Sequence, residues 1–404
     1  MSKVLEAWLE HRHAGQFIFE SNGRVQFRYD DDAPETPISL SLPRDSLIPR
    51  YAAGRFLDNL LPDSEHMRHR LALAYNTSDA SPFSLLTKAG GDLAGGLLLL
   101  PEGKSPWTGP PLLNPILDRD LADRINSIKL DADAWLAPQT PARFSLAGTQ
   151  GKFAMAQIEG DWYWSNETAP STHIVKPGAP RLVGIEQAEI ASLALAGRVG
   201  IKASSAQILQ VEDQQAFLVE RFDREVQAKS VYSQRLHAED LAQAMGYGPD
   251  QKYNITFEQA FRKLSEVDSK GLLGRTFLDQ VIFNTLIGNA DAHAKNYSVL
   301  LRLETITLAP LYDAVPVGLY GEYDQNLAMR IAGARQSQAV SLSHWRKLAR
   351  RIDVDPDELS ARVQGLATAV GEQNAVAWSA LAGHQSALLT SLVDRNVAKA
   401  LSNS

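Results

Sequence analysis

The chain has 404 residues, 44 % of them hydrophobic and 22 % charged, with a formal net charge of −7 and no cysteine. That length exceeds the ~250–300 residues at which single cores stop growing, so two or three domains are expected. The missing cysteines exclude disulfides, thiolate zinc sites, iron–sulfur clusters and cysteine nucleophiles, and the acidic balance argues against a generic polyanion binder, though not against a local basic patch.

The first hundred residues read as strands with a helical insert. Phe17–Phe19 and Val25–Tyr29 flank Asn22-Gly23, a hairpin signal. Ile38 to Leu42 alternates apolar and polar and predicts a half-buried strand. From Ala53 to Tyr75 the spacing is helical, interrupted at Leu61, Pro62 and Asp63; Leu97 to Leu100 then predicts a strand. Prolines at 101, 106, 110, 111 and 115 cannot continue a ladder or a helix, which puts a domain boundary there.

Further on, Phe144 to Ile158 predicts a hairpin, Trp162–Trp164 a short strand, and His173–Lys176 a strand ended by Pro177-Gly178. Glu186 to Val199 is helical and closed by Gly200, and Phe217 to Phe222 is a strand. The rest reads as mostly helical, apart from a hairpin between Tyr297 and Leu308. A late helix starts at Asp355 with Asp as N-cap, Pro356 at N1 and Glu358 at N3.

Polar chemistry concentrates in Gly288 to Asn296, between the apolar helix Phe277–Ile287 and the strand Tyr297–Leu301. Asp291 and Asn296 have the D-x-x-x-x-N spacing of a kinase catalytic loop. There an Asp accepts a hydroxyl proton, and an Asn gives Mg²⁺ a neutral oxygen ligand. Asp313 follows a second strand, where a kinase keeps its metal-chelating Asp. The spacing alone is weak, and a helix cap followed by an Asn/Asp-rich turn would produce it; the ordered succession of helix, loop, hairpin and Asp is much stronger. Lys176 on its strand and Glu189 on the next helix match the Lys–Glu pair that positions α/β-phosphates, although either alone is more often a solvated surface residue. Ser145 to Lys152, rich in small residues, is a candidate phosphate-covering turn but no Walker sequence. Glu220, Arg221 and Phe222 end a strand where a kinase hinge faces adenine.

Other chemistries fit less well. The nine histidines show no metal-ligand spacing, with His11/His13 and His66/His69 read as surface pairs. There is no G-x-S-x-G elbow, and Trp162 and Trp164 do not interleave with basic runs. No apolar run approaches the ~20 residues of a membrane helix, and no leader pattern opens the chain, so no membrane contact and a cytoplasmic location are expected.

These motifs resemble the HipA family, serine/threonine-kinase toxins of bacterial toxin–antitoxin pairs. The resemblance runs nearly end to end. Leu40 to Pro43, Phe56 to Asp63 and Pro82 to Leu86 are similar to the family's N-terminal domain, and Phe144 to Gln150, Val219 to Arg224 and Asp291 to Asn296 to its kinase core. It implies an α+β, protein-kinase-like fold with a β-rich N-lobe, a helical C-lobe and an added N-terminal subdomain. The divisions expected are 1–105 for that subdomain, 106–140 for a Pro-rich linker and helix, 141–225 for the N-lobe and 226–404 for the C-lobe. It further implies Asp291 as catalytic base, Asn296 and Asp313 as Mg²⁺ ligands, and Lys176 as the phosphate-binding lysine. Ala147, Gly148, Thr149, Gln150, Gly151 and Lys152 match the nucleotide-covering loop, and Glu220 to Phe222 the hinge. His293, Ala294, Lys295, Asn296 and Tyr312 complete the ATP contacts, and Ser145 aligns with a serine that such kinases autophosphorylate. Gly151 replaces a commoner acidic residue or proline, which implies a looser loop. His237-Ala238 stands where Pro-Gln is common, at a ribose-side contact.

The implied partners are a HipB-like helix-turn-helix antitoxin, operator DNA reached mainly through it, and a protein substrate for which a glutamyl-tRNA synthetase is the family precedent. Two readings of other classes compete. One is a pseudokinase serving as corepressor or scaffold, disfavoured because all three catalytic groups are present. The other is a small-molecule phosphotransferase, disfavoured by the N-terminal domain and the Ser145 loop.

Overall fold

The computed structural model describes residues 3–9, 11–134, 150–178, 182–226, 233–268, 270–303 and 305–403. In chain order, β1 (Lys3–Leu9), β2 (Arg12–Phe19) and β3 (Val25–Tyr29) precede α1 (Ala52–Asn59), α2 (Glu65–Tyr75) and α3 (Pro82–Ala89). Then come β4 (Leu97–Pro101), α4 (Asp118–Leu130), β5 (Phe153–Ile158), β6 (Asp161–Trp164), β7 (His173–Lys176) and α5 (Ile185–Arg198). Next are β8 (Ala206–Val211), β9 (Gln214–Glu220), β10 (Arg224–Val226), β11 (Ser233–Arg235), β12 (Ala238–Asp240) and α6 (Leu241–Ala244). The remainder is α7 (Phe257–Val267), α8 (Leu272–Ile287), β13 (Ser298–Leu301), β14 (Ile306–Leu308), α9 (Leu342–Arg351), α10 (Pro356–Ala377) and α11 (Gly383–Leu401).

These elements form two compact units. The first comprises Met1–Ala179, Ile208–Gln251 and Val299–Thr305; the second comprises Pro180–Gln207, Lys252–Ser298 and Ile306–Ser404.

In the first unit, an antiparallel sheet in the order β3-β2-β1-β4 is joined by a sheet in the order β6-β5-β7-β9-β8. The Asn22-Gly23 hairpin forms, with Phe19 opposite Val25 and Gly23 at φ +82°. One hydrophobic core runs through both sheets, taking in Leu5, Phe17, Phe56, Leu86 and Leu99 with Ile125, Phe153, Val175 and Leu218. The helical insert breaks between α1 and α2, where Pro62 is expected to break it, and Ser64 caps α2 by accepting from the Met67 N–H.

Part of the proline-rich stretch runs along the β6 edge: Ile116 N–H donates to Trp162 O and Trp164 N–H to Asn114 O, each at 2.9 Å. Covering that edge removes a row of unpaired backbone groups.

Ile38–Leu42 is a tight turn closed by a Ser39–Leu42 bridge, not the expected strand. Its alternation is real, but both faces are buried, because Ser39 Oγ and the Leu40 N–H donate to the buried carboxylate of Glu239, at 2.5 and 2.8 Å. The polar positions serve an internal anion rather than solvent. His13 is likewise no plain surface residue: it is half-buried between Glu6 (2.8 Å) and Asp30 (2.5 Å).

In the second unit, α8 buries twelve of its sixteen residues and leaves Arg275 and Asp279 on one face to pair with Glu358 and Arg362. The Asp268 carboxylate accepts from the Leu273 and Gly274 N–H groups at its N-terminus, at 2.6 and 3.2 Å. Helices α10 and α11 pack against it and α9 packs against α10, and Asp355 caps α10 through the Asp357 and Glu358 N–H groups, as the sequence predicts. No described helix is long and apolar enough to cross a membrane.

Candidate active site

The second unit assembles the loop that the Asp/Asn spacing singles out. Helix α8 ends on Gly288 at φ +74°, a left-handed cap in which a side chain would be strained and a Cβ would lie 2.7 Å from Leu392 Cδ2. The next residue, Asn289, is buried; its side-chain amide donates to Asn284 Oδ1 (3.0 Å) and to the Asp313 carbonyl (3.3 Å). The loop's first residue therefore also fixes the backbone of Asp313.

Asp313 is set from the other side as well. Leu311 N–H donates to Lys202 O, and Ser204 N–H to Leu311 O, both at 2.8 Å, a parallel bridge that leads the chain into Tyr312 and Asp313. Asp313 itself lies at φ +55°, a left-handed conformation that Asp tolerates better than most residues.

Asn296 Nδ2 donates to Asp313 Oδ2 at 2.8 Å. Two hard oxygen-bearing side chains, 17 residues apart in sequence, therefore converge on one spot, and this donor set suits Mg²⁺. Tyr312 braces the loop: its hydroxyl donates to Lys295 O (2.8 Å) and lies 2.7 Å from Ser298 Oγ. Ala294, Lys295 and Asn296 form a single buried 3-10 turn.

Asp291 sits exposed at the head of this loop, and its Oδ1 accepts from Tyr253 Oη at 2.9 Å. Loss of water on its flanks raises its carboxyl above the ordinary value, against the Tyr253 hydrogen bond; the Asp313 charge also raises it and Lys252 lowers it. His293 is pushed down to about 4, first by burial and then by Lys252, so its imidazole is neutral. Its Nδ1 is buried without a hydrogen-bond partner, an acceptor or donor position open to a ligand.

The remaining expected residues fall as follows. Lys176, on β7 of the first unit, is half-buried with its ammonium 5.1 Å from the centre of the Phe217 ring opposite. Glu189, on α5 of the second unit, is buried. Glu220 ends β9 and is exposed.

Arg221, the middle residue of the expected hinge, has its side chain turned into the first unit. Its guanidinium makes a bidentate pair with Asp223 (2.9 and 2.7 Å) and also donates to Ser171 Oγ and Leu93 O, while its N–H donates to Thr172 O. These contacts engage the whole guanidinium inside the domain.

Arg224 Nη2 donates to the buried Asp92 at 3.0 Å, and Arg235 lies 3.9 Å from the same carboxylate, completing a buried three-arginine, two-aspartate cluster. Gly151 is packed tightly where the sequence leads one to expect looseness: a Cβ there would lie 2.6 Å from Ile128 Cγ2 and 2.7 Å from Ala132 O. His237 is buried, with Nε2 donating to Ile38 O at 2.9 Å. Gln150 and Lys152 flank Gly151, whereas Ser145, Ala147, Gly148 and Thr149 lie outside the described residues.

Comparison with known proteins agrees with this architecture. The profile of the HipA-like C-terminal domain matches residues 144–374, and that of the HipA N-terminal domain residues 5–100. A putative kinase of Sinorhizobium fredii is 32 % identical over 92 % of this chain and 90 % of its own. The serine/threonine-protein kinase toxin HipA of Shewanella oneidensis is 28 % identical over 81 % of this chain and 78 % of its own. Among solved structures, HipA in the Shewanella oneidensis complex of HipA, HipB and operator DNA superposes with TM-score 0.83 at 23 % identity, covering 98 % of this chain and 96 % of that one. The fold is the α+β, kinase-like fold of HipA. The chain belongs to the HipA family.

Proposed function

We propose that this chain is an ATP- and Mg²⁺-dependent serine/threonine protein kinase and the toxin of a toxin–antitoxin pair. The observation that carries the reading is the pairing of Asn296 with Asp313, tied to the loop that bears Asp291 by Asn289 on the Asp313 carbonyl and Tyr312 on the Lys295 carbonyl. In the reaction, a substrate hydroxyl attacks the γ-phosphorus of ATP, its proton passes to the Asp291 carboxylate, and the bond to the bridging oxygen breaks, its electron pair leaving with ADP. Asn296 and Asp313 would hold Mg²⁺, which supplies charge neutralisation for the phosphates. Lys176 is the residue for the phosphate oxygens, and the segment from Ala147 to Lys152 the one that covers the nucleotide. Glu220 and Phe222 face the adenine from the hinge, and neutral His293 offers a hydrogen bond on the nucleotide side.

The family supports a HipB-like helix-turn-helix antitoxin as partner, with operator DNA bound mainly through it, and a cytoplasmic protein substrate. A glutamyl-tRNA synthetase is the substrate to test first, and Ser145 the site of self-phosphorylation. Titrating ATP with Mg²⁺ against wild type, Asp313→Ala and Lys176→Met by calorimetry tests the nucleotide site. Magnesium-dependent binding that Asp313→Ala abolishes and Lys176→Met weakens is expected; equal binding by all three contradicts the assignment.

A further inference from the structure

Tyr253 lies outside every motif of the catalytic loop, 38 residues before Asp291 and just ahead of α7. Its hydroxyl nevertheless donates to Asp291 Oδ1 at 2.9 Å. Its ring is held edge-on against the His293 imidazole, with centroids 5.1 Å apart and planes at 82°. Lys252 lies 5.3 Å from the centre of the same ring. His293 is tied back to the loop in turn, its N–H donating to Asp291 O at 2.7 Å. Tyrosine, histidine and aspartate thus form a closed ring of contacts around one carboxylate.

We propose that Tyr253 is a positioning residue for the general base: its hydroxyl holds one oxygen of Asp291 so that the other is presented to the substrate hydroxyl. The inference rests on the kinase reading above and deepens it. Asp291 is exposed, so its carboxylate would otherwise rotate freely among rotamers, and a misplaced base transfers protons slowly. With Oδ1 engaged by a donor, Oδ2 is the oxygen left to accept. The same hydrogen bond favours the ionised carboxylate, opposing the flanking desolvation and the Asp313 charge, while Lys252 acts with it and His293 stays neutral. The Tyr253 side chain is half-exposed and carries little of the core, so removing its oxygen leaves folding intact.

The test compares wild type, Tyr253→Phe and Asp291→Asn as full-length chains, with [γ-³²P]ATP and casein as acceptor. Tyr253→Phe is expected to lower kcat about 10- to 150-fold, the range for losing one hydrogen bond to a charged group, with KM for ATP and Tm unchanged. The acid limb of its kcat/KM profile should also move to higher pH. Wild-type kcat together with an unmoved acid limb in Tyr253→Phe overturns the proposal. Failure of the kinase reading looks different, since Asp291→Asn would then match wild type.

An activity-independent readout decides the case even without transfer to casein. In protein labelled with ¹³C at the aspartate carboxyls, the resonance missing from Asp291→Asn should titrate at higher pH in Tyr253→Phe than in wild type. An unchanged titration rejects the contact.

Discussion

Replacing Asp223 by asparagine tests the buried charge cluster of the first unit. The carboxylate is 4 % exposed. It accepts from Arg221 Nε and Nη2 (2.9 and 2.7 Å) and from the Gly95 N–H (2.6 Å), with Arg224 Nη1 at 3.1 Å. An amide keeps the shape, but it removes the charge and turns an NH₂ group toward guanidinium donors. Breaking a buried ion pair by changing one partner costs about 3–5 kcal/mol, and Asp223→Asn should lose that much in equilibrium urea unfolding.

Burial alone would raise the Asp223 carboxyl, but the Arg221 and Arg224 charges win and hold it well below the usual carboxylate range. Because the folded value lies below the unfolded one (~3.9), the stabilisation is present above that pH and lost as pH falls through it toward the folded value. The wild-type advantage should therefore be constant from pH 8 to pH 5 and shrink below about pH 4. A deficit under about 1 kcal/mol, or one that persists undiminished at low pH, refutes the reasoning. A double variant with Asp92→Asn should be non-additive, since both carboxylates share Arg224.

Two more expectations follow from single residues. Gly288→Ala puts a side chain into the left-handed cap and within 2.7 Å of Leu392 Cδ2; strain of about 1–2 kcal/mol plus the clash should lower Tm and slow any activity of the Asp291 loop, and an unchanged Tm would contradict the cap. His237 is held down to about 4 by burial. Since its unfolded value is ~6.5, its contribution is complete above that pH and falls by about 1.4 kcal/mol per unit below it; His237→Gln should flatten the stability curve between pH 6.5 and 4, and an unaltered slope would count against a buried neutral imidazole.

What was legible in the sequence was local. The Asp291 loop announces itself because its residues are consecutive and flanked by an apolar helix and strands, so spacing carries the geometry. Helix starts such as Ser64 and Asp355 are equally readable, since a cap and its N–H groups lie within three residues. Partnerships made across the chain were not readable. Ser39 and Leu40 turn inward because Glu239, about 200 residues later, needs donors, and nothing within the Ile38–Leu42 pattern announces that. Nothing in the Glu220–Phe222 pattern announces that Ser171 and Leu93 share the Arg221 guanidinium with Asp223. Tyr253 carries no motif; an aromatic next to a lysine ahead of a helix is a signal only once Asp291 stands beside it. The close approach of Ile128 to Gly151 lies in packing, where a sequence pattern is silent.

The central claim is that Asp291 accepts the proton in ATP-dependent phosphoryl transfer. The direct measurement is single-turnover ³²P transfer from [γ-³²P]ATP in Mg²⁺, comparing wild type with Asp291→Asn while following nucleotide binding separately. The account predicts transfer by wild type and a loss of at least ~10² in rate for the variant, with ATP affinity retained. Equal rates in the two proteins would contradict it.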